Sequence, residues 1–341
     1  MENTEQKKVP YLEVKDLYVE YESDDAIVKA VNGVSFTLEK GQTLGLVGET
    51  GAGKTTIAKS ILRILPDIGA KITNGQILLD GKNVLDLPEK EMQKLRGNDI
   101  SMIFQDPMTA LNPTMTVGSQ IAEVVKLHPE EGKTISDAEA KERACQMLET
   151  VNIPRERYDE YPHQFSGGMK QRVVIAMSLA CNPNLLLADE PTTALDVTIQ
   201  AQVLELIGQL QKKYHTAMIL ITHDMGVVAQ VCTSVAVIYA GHIVEYGTLE
   251  QIFDHRCHPY TIGLFGAIPD IKHDEEWLHP IDGLPPDPTN LPKGCPFAPR
   301  CKYASDECRS GSIDMQKTPD GHLCRCIHLQ QVLNDQEKNH E

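Results

Sequence analysis

Gly48-Glu49-Thr50-Gly51-Ala52-Gly53-Lys54-Thr55 decides how this chain is read. The run fits G-x-x-x-x-G-K-[ST], a loop whose backbone N–H groups turn inward onto phosphate oxygens. Such a loop bends through positive φ, where glycine is the residue that goes without strain. Lys54 reaches for the β- and γ-phosphates and the Thr55 hydroxyl for Mg²⁺, with Thr56 beside them in the nucleotide-binding set. Upstream, Thr43-Leu44-Gly45-Leu46-Val47 reads as a buried strand. Downstream, Ile57, Ala58, Ile61, Leu62 and Leu65 make a helical apolar stripe, so a helix N-terminus aims its positive end at the same anion. The competing reading is an incidental glycine-rich turn; the strand before it and the helix after it argue against that.

Two further runs extend the reading. Leu185-Leu186-Leu187-Ala188-Asp189-Glu190 is a buried strand ending in two carboxylates. Asp189 is placed to hold Mg²⁺ and Glu190 to polarise an attacking water. Carboxylates also cap strands merely for solubility, so this run gains weight only from the loop upstream. Phe165-Ser166-Gly167-Gly168-Met169 opens a helix whose apolar face is Val173, Val174, Met177 and Ala180. A small hydroxyl and bare backbone N–H groups at a helix start form a second anion site, although a lone Ser-Gly-Gly is usually just a loop. If the two anion sites lie on opposite sides of one chain, that chain cannot bring both to one γ-phosphate.

Composition bounds the alternatives. The 341 residues carry 32 basic and 48 acidic side chains, a net charge of −16. That balance argues against a nucleic-acid surface, which needs a basic stripe. No apolar run approaches the roughly 20 residues needed to span a bilayer. Met1-Glu2-Asn3-Thr4-Glu5 lacks the basic and apolar regions of a signal peptide. The expected location is therefore the cytosol, or a membrane surface where partners hold the chain.

Strands are expected at Val31–Leu38 and Gln76–Leu79. Between 107 and 165 the pattern turns helical. Ser136 with Glu139 forms a capping-box pattern, and Ala144, Met147, Leu148 and Val151 repeat at helical spacing. The chain then returns to buried strands at Leu185–Ala188 and Ala217–Thr222, followed by a hairpin of Ser234–Tyr239 and His242–Tyr246 turning at Ala240-Gly241. The expected division is an ATPase core at 1–106 and 166–255, a helical subdomain at 107–165, and an extension at 256–341. Prolines cluster in that extension, at 259, 269, 280, 285, 286, 288, 292, 296 and 299, so it orders only where it docks.

Nine cysteines are present, five of them in the last 47 residues: Cys295, Cys301, Cys308, Cys324 and Cys326. In a chain outside the secretory route such a cluster reads as metal binding sooner than disulfides. The C-x5-C-x6-C spacing differs from the short C-x2-C pair of structural zinc. Iron–sulfur, zinc and unmetallated buried thiols remain open on spacing alone. Cys145, Cys181, Cys232 and Cys257 lie on or near apolar segments and read as core residues.

These residues resemble the ATP-binding subunits of ABC transporters, from about residue 12 to 330 and in that family's order. The resemblance implies an α/β fold: a P-loop NTPase with a RecA-like core, an antiparallel β subdomain and an inserted helical subdomain, plus an irregular C-terminal extension. It makes Ser166-Gly167-Gly168 the core of the signature that serves the opposite subunit's nucleotide. It makes Gln105, in Phe104-Gln105-Asp106-Pro107, the glutamine that senses Mg²⁺ and the permease. Asp196, in Ala194-Leu195-Asp196, becomes the D-loop aspartate, and His223, in Ile221-Thr222-His223-Asp224, the switch histidine at the γ-phosphate. Tyr21 becomes the aromatic that stacks on adenine. The segment from Glu22 to Val28 is longer than that pattern usually shows.

The extension is similar to that of oligopeptide and dipeptide importer ATPases. His258-Pro259-Tyr260-Thr261, Gly283-Leu284-Pro285-Pro286, Cys295-Pro296-Phe297-Ala298-Pro299-Arg300-Cys301 and Gly321-His322 carry that likeness. It implies a [4Fe–4S] cluster on Cys295, Cys301, Cys308 and Cys326, with Cys324 as a spare thiol or alternative ligand. Phe first and Met fifth in the signature resemble one of the two ATPases of a peptide importer. The implied partners are a related ATPase, two membrane permeases and, indirectly, an extracytoplasmic binding protein, at the cytoplasmic face of the membrane and without nucleic acid. The implied activity is hydrolysis of ATP, with Mg²⁺, coupled to peptide import. The alternatives are an importer of nickel or another small solute, a soluble ABC ATPase outside transport, and a redox-regulatory module built on the cysteines.

Overall fold

The computed structural model describes residues 10–23, 26–129, 134–193, 195–267 and 280–340. Met1–Glu5, Ala194 and Pro269, all used above, lie outside them. The strands are β1 (Leu12–Glu22), β2 (Ile27–Leu38), β3 (Thr43–Val47), β4 (Ala70–Leu79), β5 (Lys82–Asn83) and β6 (Ile100–Ile103), then β7 (Leu185–Asp189), β8 (Ala217–Thr222), β9 (Ser234–Tyr239), β10 (His242–Thr248), β11 (Gln316–Lys317) and β12 (Leu323–Cys324). The chain divides into two compact units. One comprises residues up to Leu12, Leu38–Thr43 and Leu78–Ile221; the other comprises Glu13–Thr37, Leu44–Ile77 and Thr222 onward.

In the first unit β6, β7 and β8 pair in parallel, with Ile100 opposite Leu185 and Leu185 opposite Ala217. Every residue of the three strands is buried. Near-continuous apolar runs are what a parallel sheet covered on both faces requires. The region 107–165 is mainly helical, as expected. Thr116 caps the helix Val117–Leu127 by accepting from Ser119 N–H at 3.3 Å, and Ser136 caps Asp137–Thr150 by accepting from Glu139 N–H at 3.2 Å. The expected capping box forms only half. The Glu139 carboxylate accepts from Arg143 one turn on, at 2.9 Å, instead of reaching back to Ser136.

In the second unit β1 lies between β2 and β4. A second sheet runs β3, β9, β10, β12, β11. β3 and β9 are parallel, with Leu44 opposite Ser234. β9 and β10 form the expected hairpin, turning at Ala240 (φ 47°) and Gly241 (φ 77°). Two successive positive φ values give the tight turn whose twist matches the strands. The C-terminal extension adds strands to this hairpin: β12 pairs antiparallel with β10, Cys324 opposite Glu245. The helix after the glycine-rich loop runs Lys54–Leu62 and stops at Arg63 (φ 51°). Leu65, expected on its stripe, therefore lies past its end. Ala180 likewise caps the helix Gly167–Leu179 instead of continuing its face.

Candidate functional site

The glycine-rich loop sits in the second unit, at the carboxyl end of β3. A Cβ on Gly48 (φ 155°) would fall 2.1 Å from Ile238 O, and one on Gly53 (φ 100°) 2.3 Å from Ala30 O. Both positions exclude any side chain. Around Gly51 nothing lies within 4 Å of such an atom, so the middle of the loop is open to a ligand. Lys54 folds over the loop and donates to Gly48 O at 2.7 Å and Glu49 O at 2.9 Å. Its ammonium is thus stationed where phosphates would meet the backbone. The Tyr21 and Thr56 hydroxyls are 3.1 Å apart, which places Tyr21 beside the start of the helix. His223 is exposed between two caps: Thr222 Oγ1 accepts from Asp224 N–H at 3.0 Å, and Asp224 caps the helix Met225–Val231.

The extension grips this loop, a feature the sequence reading missed. Arg300 Nη1 donates to both Glu49 carboxylate oxygens, at 3.1 and 3.0 Å, and Glu49 N–H donates to the Tyr260 hydroxyl at 3.0 Å. Arg300 also donates to Asp282 O and Ile281 O. Its side chain is 5% exposed. Pro285, Pro286 and Pro288 border a pocket of about 140 Å³ whose opposite wall is Glu49, Thr50, Gly51 and Ala52. The proline-rich stretch is thus ordered where it docks.

In the first unit, Asp189 ends β7, buried at 3% exposure. Glu190 follows in the left-handed region, at φ 45°. Its carboxylate accepts from Gln105 Nε2 and Thr193 Oγ1, each at 2.9 Å, and its N–H donates to Ile221 O. A non-glycine residue held at positive φ costs on the order of 1 kcal/mol or more, and such strain gathers at working sites. Gln105 and Glu190 are 85 positions apart in sequence and meet directly.

Ser166 caps the helix Gly167–Leu179, accepting from Met169 N–H at 3.4 Å. A Cβ on Gly168 would fall 2.5 Å from Ile199 Cγ2, so glycine lets the next helix approach. Asp196 starts that helix, Val197–Tyr214, by accepting from Ile199 N–H at 3.0 Å. The two unusual residues around the signature share one partner. The Arg157 guanidinium lies 4.3 Å from the centre of the Phe165 ring, and its Nη1 is 3.3 Å from Met169 Sδ. A groove of about 630 Å³ opens in the same unit, lined by Met102, Phe104, Leu127, Val174 and Met177 among others. Phe104 is 44% exposed and Leu127 68%.

In the extension, Cys295, Cys301, Cys308 and Cys326 line one small pocket with Phe297 and Ile313. Cys295 N–H donates to Cys308 O at 2.7 Å, tying two of the segments together. Burial pushes the Cys295 thiol up to about 11 and Cys326 to about 12, and raises Cys301. Bare, those three thiols stay protonated; a metal would take them as thiolates. Cys324 is not part of that pocket. It lies buried against Cys257. Cys257 takes the core place expected of it, and its Sγ also meets Glu245 and His322, each at 3.2 Å.

Residues 31–193 match the ABC transporter family, and 244–308 match the oligopeptide/dipeptide transporter C-terminal region. The oligopeptide transport ATP-binding protein OppD of Haemophilus influenzae is 51% identical over 88% of this chain and 92% of its own length. The dipeptide transport ATP-binding protein DppD of Bacillus subtilis is 50% identical over 96% of both. The chain belongs to the ATP-binding subunits of oligopeptide and dipeptide ABC transporters. It is an ABC ATPase, with ATP and Mg²⁺ the nucleotide and metal expected of that family. Among solved structures, the dimeric post-hydrolysis state of the ATP-binding cassette MJ0796, bound to ADP and Pi, superposes with a TM-score of 0.62 at 26% identity. That match covers 70% of this chain and 98% of the cassette. Among the described residues of this ABC ATPase no helix is long and apolar enough to cross a membrane.

Proposed function

We propose that this ABC ATPase energises peptide import from the cytoplasmic face of a membrane, paired with a related ATPase beneath two permeases and served by an extracytoplasmic binding protein. The observation that carries the reading is the join between loop and tail: the match that marks peptide transport includes Tyr260 and Arg300, which hold Glu49 of the phosphate loop.

Lys54 and the backbone of Gly48, Glu49, Thr50, Gly51, Ala52 and Gly53 take the phosphates, with Thr56 beside them. Thr55, Gln105 and Asp189 are assigned to Mg²⁺, which when bound neutralises charge on the β- and γ-phosphate oxygens. Glu190 orients the water and takes its proton, and His223 steadies the γ-phosphate. The bond from Gln105 to Glu190 supports a shared role, since moving one re-aims the other. Tyr21 is assigned to adenine. Ser166, Gly167 and Gly168 serve the partner subunit's nucleotide, and Asp196 lies at that seam. Hydrolysis on this assignment rests on positioning and charge, without a covalent enzyme intermediate. The open apolar groove by Phe104 and Leu127 supports docking of a permease helix on 107–165. The core at 1–106 and 166–255 and the extension from 256 complete the assigned division.

For the extension we propose a [4Fe–4S] cluster on Cys295, Cys301, Cys308 and Cys326. Four thiols around one pocket, Cys308 and Cys326 buried and Cys295 and Cys301 partly so, suit it, and it would supply a redox-active, rigid crosslink. Their spread supports a cluster over one zinc. Among the described residues the one group of three or more His, Cys, Asp or Glu donor atoms mutually within 4.8 Å lies elsewhere. Four thiolates at about 2.3 Å from one zinc would stand roughly 3.8 Å apart, whereas a cluster sets each on its own iron.

The test is the complex reconstituted in vesicles with its binding protein. ATP-dependent uptake of a labelled peptide, absent for a nickel chelate, supports the reading; the opposite preference overturns the peptide assignment. Anaerobic purification should give a brown protein absorbing near about 400 nm. A colourless protein with zinc on these four thiols would end the cluster reading.

A further inference from the structure

Glu245, Cys257 and His322 bring three different metal-ligating atoms to one buried point, apart from the four-thiol pocket and the phosphate loop. Cys257 Sγ is 3.2 Å from Glu245 Oε1 and 3.2 Å from His322 Nε2, and that Nε2 is 3.1 Å from Glu245 Oε1. The triangle is nearly equilateral. Glu245 and Cys257 are wholly buried and His322 is 3% exposed. An ion about 2.1–2.3 Å from each corner would sit about 1 Å above such a triangle, the base of a tetrahedron. We propose that Glu245, Cys257 and His322 hold one zinc ion, with Cys324 as the fourth donor, and that this ion pins the C-terminal extension to β10.

The surroundings fit a metal centre. His322 Nδ1 lies 2.8 Å from Asp320 Oδ1, the carboxylate–histidine arrangement that fixes a ligating imidazole through its other nitrogen. Glu245 is oriented by Cys257 N–H at 2.7 Å and His258 N–H at 2.9 Å. Cys324 stands opposite Glu245 across β10 and β12 and is hydrogen-bonded to Cys257. Thiolate, imidazole and carboxylate together favour zinc over magnesium or calcium. A cavity of about 590 Å³, bordered by Asp254, Thr318, Asp320 and His322, provides access.

Without metal the charges at this point cancel; zinc with one carboxylate and two thiolates leaves a single negative charge. Without metal, burial alone would lower His322, but its hydrogen bonds to Cys257 and Glu245 outweigh that and hold it at about 10. An imidazolium then faces the Glu245 carboxylate, and the Cys257 thiol keeps its proton. Zinc entering displaces protons from His322, Cys257 and Cys324, which leave to solvent, while Glu245 is already ionised. No electron transfer is involved.

The experiment counts iron and zinc in the full-length protein purified anaerobically from zinc-supplemented cells. One zinc per chain should remain in Cys295→Ser, which loses the iron. That zinc should be absent from Cys257→Ser and His322→Asn, which keep the iron, and Asp320→Asn should bind it about 10–100-fold more weakly. Zinc missing from the wild type, or lost with Cys295→Ser and kept in Cys257→Ser, overturns the proposal. Should the Cys257 or His322 variants not fold, wild-type protein stripped of zinc with its iron intact is titrated with Co²⁺. Thiolate charge-transfer and tetrahedral d–d bands, with about three protons released per ion, support the site. Six-coordinate cobalt spectra or no uptake overturn it.

Discussion

The phosphate loop and the cysteine pocket are assembled in opposite ways. The loop uses contiguous residues and lets the backbone do the holding: Gly48 and Gly53 admit no Cβ, and Lys54 crosses only a few residues to reach Gly48 O. The tail uses side chains drawn from far apart, Cys295 to Cys326, and its backbone only delivers them. A site made of backbone is written as a short motif. A site made of side chains is written as scattered residues whose meeting depends on the whole fold.

The contrast can be broken in graded steps. The largest effect belongs to Glu190→Gln. Turnover should fall about 10²–10⁴-fold while nucleotide is still bound, trapping the ATP-loaded pair. Normal turnover in single-cycle kinetics would remove Glu190 from the chemistry. Gly48→Ala tests whether shape alone governs the loop. With a Cβ 2.1 Å from Ile238 O it should cost more than about 2 kcal/mol in denaturant unfolding, far beyond what one methyl normally does.

A pH effect comes next. Burial, then the nearby Arg325, lower His242 to about 4, well under its unfolded value near about 6.5. Below pH ~6.5 the unfolded chain takes up a proton that the folded chain refuses, so stability falls as pH drops from ~6.5 to 4. Allowing for partial exposure, the loss should be about 2 kcal/mol, and His242→Gln should flatten that part of the curve. The smallest effect is Arg300→Ala. Releasing a partly buried carboxylate from its guanidinium should cost about 1 kcal/mol, read as roughly fivefold weaker ATP binding by titration. No change would mean the tail touches the loop without tuning it.

Legibility followed the same divide. The β3 strand, the loop, the turn at Ala240-Gly241 and the carboxylates closing β7 were all readable, because each is a local pattern of apolar runs, glycines and charges. Clustering made five cysteines readable as a group and the family resemblance chose four of them; the pocket likewise holds Cys326 and not Cys324. The bond from Gln105 to Glu190 and the grip of Arg300 on Glu49 were not, since they join residues 85 and 251 positions apart. Cys257 was readable as buried, but its apolar neighbourhood in sequence says nothing of Glu245 and His322 meeting it. Phe165 and Met169 stood out as odd residues; that both rest on Arg157 needed the fold. Leu65 was overcounted because apolar periodicity runs on after Arg63 has turned the backbone away.

The clasp on Glu49 also bears on how small a working cassette can be cut. Ending the chain at about residue 255 would strip away the guanidinium and the phenol together. An unmatched acid would then stand on the rim where a triphosphate has to enter, and like charges repel. A trimmed cassette would therefore report the affinity of a damaged doorway.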